Sequence, residues 1–326
     1  MPSLHPHPPQ IGHFERGRIR AVFDAAASTA IRVLAFAGAS AYLWRMKLST
    51  LLAALLPLVA LAQPAGSLIL PESPRVMGMG GAYVGLADDP MSGIVNPAGL
   101  RSLKKLGTDL FFATSSPSGP DHLCFALANP STEKGSPVAM GVWSQGLISD
   151  DQRKFYIPYA ALSYELARFL GLGLVTRFPY VATKVDSEKS RWETVADVSA
   201  RLTVSTIEAG AAVERCFGGA QFVARRLRAG AAFVSQQGIA VSYEWRALET
   251  DQRFDFHYES SHWGAELPVG KYVALRGGYA RAERTHFAAG LAVGVLRGGW
   301  RVETACEFPA SGEGRTRWAA GLNYRL

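Results

Sequence analysis

The sequence predicts an all-β chain: an antiparallel transmembrane β-barrel of about fourteen strands, closed around a short helical hatch supplied by its own N-terminal part. Three observations predict it. Beyond Ala62 there is no run of roughly 20 apolar residues, although 48% of the chain is hydrophobic. After Leu106 the chain becomes a series of short alternating runs separated by Gly, Pro, Asp and Ser. Between these regions, residues 63–105 are rich in glycine and carry helix-start signals.

Residues 46–62 have the three parts of a secretory signal. Met46-Lys47 gives the basic start, Leu48–Ala62 an apolar core too short to span, and Ala60 and Ala62 the small-residue site. Cleavage is expected after Ala62, with export to the bacterial outer membrane. Residues 1–45 are unusual in front of such a signal and read as a start assigned too far upstream, Met46 being the initiator. A membrane-anchored helix is the alternative, and Arg32 within its apolar run argues against it. His5 and His7 have no third partner with ligand spacing.

The formal charge of +7 suggests a nucleic-acid binder, but its location does not. Residues 1–62 hold Arg16, Arg18, Arg20, Arg32, Arg45 and Lys47 against Glu15 and Asp24, so only +3 remains beyond them. That is no footprint for a phosphate backbone, and no nucleic-acid partner is expected. Cys124, Cys216 and Cys306 lie far apart, without metal-ligand spacing and in odd number. They read as small apolar packing residues. No metal or cofactor is expected.

In residues 63–105, Asp89-Pro90 and Asn96-Pro97 each place a capping side chain before a proline at the first helical position. Both helices must be short, since Pro97 would clash inside a longer one. Gly78, Gly80, Gly81 and Gly85 favour close backbone packing or positive φ. Gly78 and Gly80 are not a nucleotide fingerprint, because no strong strand precedes them and the third glycine is misplaced.

The stretch Gly78–Pro90, together with Asn96–Leu100, resembles the N-terminal hatch of the FadL superfamily of outer-membrane proteins, with Asn96-Pro97-Ala98 matching its Asn-Pro-Ala motif. That superfamily includes long-chain fatty-acid transporters and the PorV/PorQ-like proteins of type IX secretion. Trp263–Tyr279 is similar to the late-strand pattern of the PorV-like branch. The resemblance covers about residues 70–326 and also implies fourteen strands. It implies a hatch or gate built on Gly78, Gly80, Gly81, Asp89, Asn96 and Pro97. Met77, Met79, Tyr83, Val84 and Leu86 would then meet a hydrophobic ligand.

The strands read as 107–115, 121–128, 137–146, 156–166, 169–179, 192–204, 206–214, 226–234, 238–246, 254–267, 271–281, 286–296, 299–308 and 317–326. The last is the clearest. Trp318, Ala320, Leu322, Tyr324 and Leu326 share one face, and Arg317, Ala319, Gly321, Asn323 and Arg325 the other. In a barrel the first face meets lipid and the second lines a polar interior. Tiny inward residues such as Gly171, Gly173 and Gly290 leave room for an insert. In 254–267 the parity switches near Ser260, which predicts a bulge. Gly321, Tyr324 and Leu326 resemble the terminal signal read by the barrel-assembly machinery, although Leu326 stands where that signal usually has an aromatic residue.

No catalytic constellation is present: there is no Gly-x-Ser-x-Gly elbow and no His-Glu-x-x-His. The chain is not expected to be an enzyme. His257 and His286 read as lining or rim residues, and Arg301 with Glu303 as a neutralising pair. Two functions follow from the resemblance, a conduit for small hydrophobic molecules and a docking barrel for secretion-system proteins. A soluble periplasmic β-sandwich is the alternative outside it, but it leaves fourteen runs and the hatch unexplained.

Overall fold

A computed structural model describes residues 72–114, 122–130, 136–145, 153–183, 190–218, 224–249, 256–282, 285–295, 299–310 and 316–326. Residues 1–71, and with them the expected signal and upstream extension, lie outside the described residues.

Sixteen strands form one antiparallel sheet. They are β1 (Gly107–Thr114), β2 (His122–Asn129), β3 (Val138–Gln145), β4 (Arg153–Ala167), β5 (Leu170–Arg177), β6 (Tyr180–Thr183), β7 (Arg191–Trp192) and β8 (Val195–Val204). The second half holds β9 (Ile207–Phe217), β10 (Arg226–Val234), β11 (Ala240–Glu249), β12 (Phe256–Val269), β13 (Val273–Arg281), β14 (Thr285–Gly294), β15 (Gly299–Pro309) and β16 (Arg317–Arg325). Fourteen of them make a closed ring. β1 pairs with both β2 and β16, β3 pairs with β4, and β5 pairs with β8.

The other two, β6 and β7, were not anticipated. They extend one side of the ring, where β6 pairs with Arg153–Tyr156 of the long strand β4. Tyr156, Tyr180 and Trp192 stack there, with centroids 6.3 and 4.9 Å apart. Trp192, read as the start of the sixth barrel strand, belongs to this extension, and that strand, β8, begins at Val195. Segments of four and two residues give an alternation too short to read.

The start of β1 and the end of β16 lie together, Gly107 opposite Arg325. This end of the barrel is called the base, and the other the rim. Turns at the base include Arg168–Phe169 and Ser205–Thr206, two residues each. β12 carries the expected bulge: Arg246 faces Ser260 and Ala247 faces Tyr258, leaving Glu259 as the extra residue.

Alternation sets the two faces. Outward are Leu110, Phe112, Leu172, Phe233, Val241, Trp263, Leu275, Leu291, Val293, Val302, Trp318 and Leu322, all exposed. Aromatic pairs sit at both margins, Trp300 on Tyr324 at the base (4.3 Å) and Phe287 by Phe308 towards the rim (6.1 Å). A continuous apolar belt with aromatic margins is the surface of a barrel that sits in lipid. Among the described residues no helix is long and apolar enough to cross a membrane.

Inside lie α1 (Pro74–Gly78), α2 (Ser92–Val95) and a 3₁₀ helix over Pro97–Ser102. α1 was not anticipated, though Ser73-Pro74 repeats the start signal of the other two. Ser73 Oγ accepts from Val76 N–H at 3.3 Å, and Pro74 takes the first helical position. α1 packs on β13–β16, α2 on β3 and β4, and the 3₁₀ helix on β4, β5 and β8.

Candidate functional site

The wall seats the hatch mainly through the hatch backbone. Residues 79–87 and 96–103 are too short and too turn-rich to satisfy their own N–H and C=O groups, so inward side chains do it. Glu244 Oε2 accepts from Tyr83 N–H (2.9 Å) and Val84 N–H (2.7 Å). Ser242 donates to Ala82 O, and Arg246 Nη2 to Gly81 O at 2.8 Å. His262 Nδ1 donates to Gly80 O at 2.6 Å, since a carbonyl can only accept, and Nε2 meets Ser260 Oγ at 2.8 Å. Three strands along the ring, on β8, Arg201 Nη1 donates to Ala87 O (2.9 Å) and Gly99 O (3.2 Å). Ser199 Oγ accepts from Ala98 N–H at 3.1 Å.

Glycines of the wall bring these groups within reach. A Cβ on Gly173 would overlap Ala98, one on Gly210 would overlap Val84, and one on Gly264 would come within 2.5 Å of Met79 O. On the hatch side, Gly80 has φ +62° and its Cβ would lie 2.7 Å from Tyr279 N. Gly81 has φ +85° and faces the Arg246 guanidinium and His262 ring. Gly78 lies over Gly290, with its Cβ direction 3.1 Å from that Cα.

Arg75 is the electrostatic centre. Its Nε and Nη2 each donate to Glu266 at 2.9 Å, and Nη1 donates to Asp88 and to Asp89 (3.2 Å). Burial pulls the guanidinium pKa down, and the carboxylates of Asp88, Glu266 and Asp89 more than reverse it. Glu72, just before α1, pairs with Arg317 (3.0 Å) and Arg246 (3.7 Å). Burial raises its carboxyl pKa, but Arg317 and Arg246 together hold it at about 2. Tyr83 donates its hydroxyl to Asp89. Burial and that carboxylate raise the phenol well above its usual range, so it stays protonated.

Asp89 and Asn96 do not cap helices as expected. Asp89 Oδ1 accepts from Met91 N–H at 2.9 Å, an Asx turn that precedes α2, whose N-cap is Met91. Asn96 is the N-cap residue of the 3₁₀ helix by position only. Its Nδ2 instead donates to Val84 O at 2.7 Å, tying the two arms of the hatch together. The reason is burial: both side chains are enclosed and serve tertiary partners that a helix start alone would not supply. Asn96→Ala leaves Val84 O buried without that donor, and it is expected to cost about 1–3 kcal/mol. Urea titration of the refolded barrel checks this, and an unchanged midpoint would contradict it.

Pro97 opens the 3₁₀ helix, as read. Met77 packs on Ala113, Ala305 and Ala319, and Met79 on Leu86, Ala232 and Ala240. Tyr83 packs with Val76, Ala87 and Val95. Val84 lies over Gly210 and Gly230. Of the five apolar hatch residues, Leu86 lines a cavity of about 310 Å³ at the base. Gly321 faces inward against Phe111, Tyr324 stacks outward on Trp300, and the Leu326 N–H donates to Leu106 O at 3.0 Å. His286 lies 3.4 Å from Glu307, Arg301 pairs with Glu303, and His257 is exposed.

Sequence reading missed the wall residues Glu244, Arg246, His262, Glu266 and Arg201. Their signal was available: each is a charged or polar residue on the inward parity of a strand. It also missed a division of the lumen. On β9–β16 the interior is largely charged, whereas on β1–β6 and the start of β8 it is mostly apolar, with Phe111, Trp143, Phe155, Ile157, Tyr159, Val181 and Val195 all buried and the charges of Arg177 and Asp197 paired with each other and Asp109 bonded to Asn323. Trp143 and Tyr159 lie 6.4 Å apart, and Trp143 Nε1 and Tyr159 Oη have no hydrogen-bond partner among the described residues.

No family model matches the chain, and no curated protein does. Solved structures do. The chain is similar to the CymD monoaromatic hydrocarbon channel, with TM-score 0.60, 13% identity, and coverage of 78% of this chain and 97% of that one. A Pseudomonas aeruginosa FadL homologue gives 0.55, 9%, 80% and 99% in the same terms. The Pseudomonas putida toluene transporter TodX gives 0.54, 12%, 80% and 99%. At these identities the likeness is one of fold, and the fold of this chain is that of a plugged, fourteen-stranded FadL-type barrel.

Proposed function

We propose that the chain is a non-enzymatic outer-membrane barrel that conducts small hydrophobic molecules past its hatch. The observation that carries this is the apolar lumen wall of β1–β6. A water-filled pore lines its interior with polar groups, whereas Phe111, Trp143, Phe155 and Ile157 form an apolar wall packed against Met91, Ile94, Leu100 and Leu103 of the hatch, a surface that movement of the hatch would open to a hydrophobic solute. The fold likeness to a monoaromatic hydrocarbon channel and a toluene transporter supports the same class of solute. Residues 78–100 act as the gate, and outer-membrane lipid is the surrounding partner. The route there is export with cleavage after Ala62 and insertion by the barrel-assembly machinery. N-terminal sequencing of the membrane form should start at Gln63.

The test is expression of Met46–Leu326 in a Gram-negative host, with outer-membrane fractionation, heat-dependent gel mobility and uptake of labelled toluene. Uptake should exceed that of the empty host. Ile157→Asp, which puts a carboxylate in the apolar wall, should lower uptake about tenfold, the effect of about 1.4 kcal/mol, with unchanged gel mobility. Equal uptake in host and producing cells would sink the conduit, and capture of secretion-system proteins in that case would favour docking.

A further inference from the structure

The cavity at the base has a chemistry that a path for neutral hydrophobic molecules does not require. It measures about 310 Å³, and its wall carries five cations, Arg75, Lys271, Arg276, Arg301 and Arg325, against Asp88 and Glu266. The carboxylates within reach are already engaged. Glu266 takes Arg75 and the Nε of Arg276 (2.6 Å), Glu303 takes Arg276 Nη2 (3.3 Å) and Arg301 Nε, and Asp88 takes Arg75. Four guanidinium nitrogens are left buried without a hydrogen-bond acceptor among the described residues: Arg276 Nη1, Arg301 Nη2, and Nε and Nη2 of Arg325. Arg276 and Arg301 are 5% and 6% exposed, so bulk water does not solvate them freely.

Buried guanidinium donors without acceptors are costly, and an oxyanion satisfies them through paired, charge-assisted bonds. Register places the donors on three elements around one space. Arg276 lies on β13, Arg301 on β15 opposite Asn323, and Arg325 at the end of β16 opposite Gly107. The volume exceeds that of a bare ion and falls at the lower end of small-ligand pockets. Leu86, Pro268 and Ala274 give the wall an apolar part.

We infer that the base of the lumen is a binding site for a small oxyanion, carboxylate or phosphate, held by Arg276, Arg301 and Arg325. The anion is either a free ion or the acidic end of a small organic molecule whose apolar part lies against Leu86. Lys271, exposed and 4.9 Å over the Tyr272 ring, stands at the mouth as a steering charge.

The experiment is isothermal titration of the purified full barrel in neutral detergent at low salt, with inorganic phosphate, acetate and hexanoate as separate probes. Millimolar or tighter binding of phosphate or acetate is expected if the ion is free. Binding of hexanoate at least tenfold tighter than acetate is expected if an organic acid is the ligand. In either case Arg325→Gln should weaken binding at least tenfold, and Lys271→Gln should weaken it less and reduce its salt dependence. Arg325→Gln breaks no salt bridge within 4 Å among the described residues, and Asp88, whose charge Arg325 also favours, keeps Arg75 as its direct partner, so the gel mobility should match wild type. A variant that loses folded mobility is replaced by Arg325→Lys, which keeps the charge, loses the fork, and should still weaken binding severalfold. The inference is overturned if none of the three probes binds at 10 mM (a working ceiling about tenfold above millimolar affinity), or if the Arg325 variants bind as wild type does. Neither result depends on toluene uptake, so this site and the conduit stand or fall separately.

Discussion

Arg75→Ala should unseat the hatch. Arg75 is 5% exposed and joins three carboxylates, two of the hatch (Asp88, Asp89) and one of the wall (Glu266). Its removal leaves those carboxylates buried together without their common counter-ion, a change that costs about 3–5 kcal/mol. The barrel has its own hydrogen-bonded ring and is expected to survive. The free energy is lost at the hatch–wall interface, so the variant should show long-lived openings in planar bilayers where wild type stays shut. Arg75→Lys keeps the charge but cannot make the two parallel bonds to Glu266, and should fall between. Wild-type conductance in Arg75→Ala would remove the hatch from the gating role.

Acid should act in the same direction. The Glu72 carboxyl is held at about 2 in the folded chain against an ordinary 4.5. A depressed carboxylate contributes its stability in full above the ordinary value and loses it as pH falls from there through about 2. Asp88 is also lowered, because Arg75 and Arg325 outweigh its burial. Openings should therefore become more frequent between pH 5 and pH 3.

Gly80→Val is the second large effect. Gly80 sits at φ +62°, a region that costs an L residue about 1–2 kcal/mol and a β-branched one more. The new Cβ would also lie 2.7 Å from Tyr279 N and 3.0 Å from Gly278 C. Both are backbone atoms of β13, fixed by pairing on both sides. Overpacking against atoms that cannot yield adds about 1–3 kcal/mol. The hatch is expected to stay undocked, read as new protease cleavage between Ser73 and Leu103 in a barrel of normal gel mobility. Gly277→Ala is the matched control: a Cβ there meets nothing within 4 Å, and the variant should behave as wild type. Equal protection in both variants would mean that the close approach at Gly80 carries no load.

Much of this fold was legible because strand alternation is a local property. Trp318 to Leu326 shows it within nine residues, and β10 falls at the expected 226–234. The Ser260 parity switch marked the bulge because a bulge shifts alternation by one residue. What alternation cannot carry is which inward groups meet. Arg75 and Glu266 are 191 residues apart, and nothing local to either announces the pair. Asp89 and Asn96 show the converse. Their local signal was the helix cap, and enclosure in the barrel redirected both side chains to partners the sequence order does not reveal. The glycines were read correctly as a class, while their pairing across the interface, such as Gly80 on Gly278, depends on the closed ring.

The position of Met77 has a consequence for how the chain completes itself. Its side chain packs on Ala113 of β1 and on Ala305 and Ala319 of β15 and β16, so it spans the one seam where the first and last strands meet. The hatch is the earliest of the described segments in the chain, yet its seat does not exist until strands some two hundred residues apart have joined. Contacts so distant in sequence form late. Seating and seam closure therefore reinforce each other: a chain that has not sealed has nowhere to put Met77, and a chain that has placed Met77 cannot easily unzip at that seam.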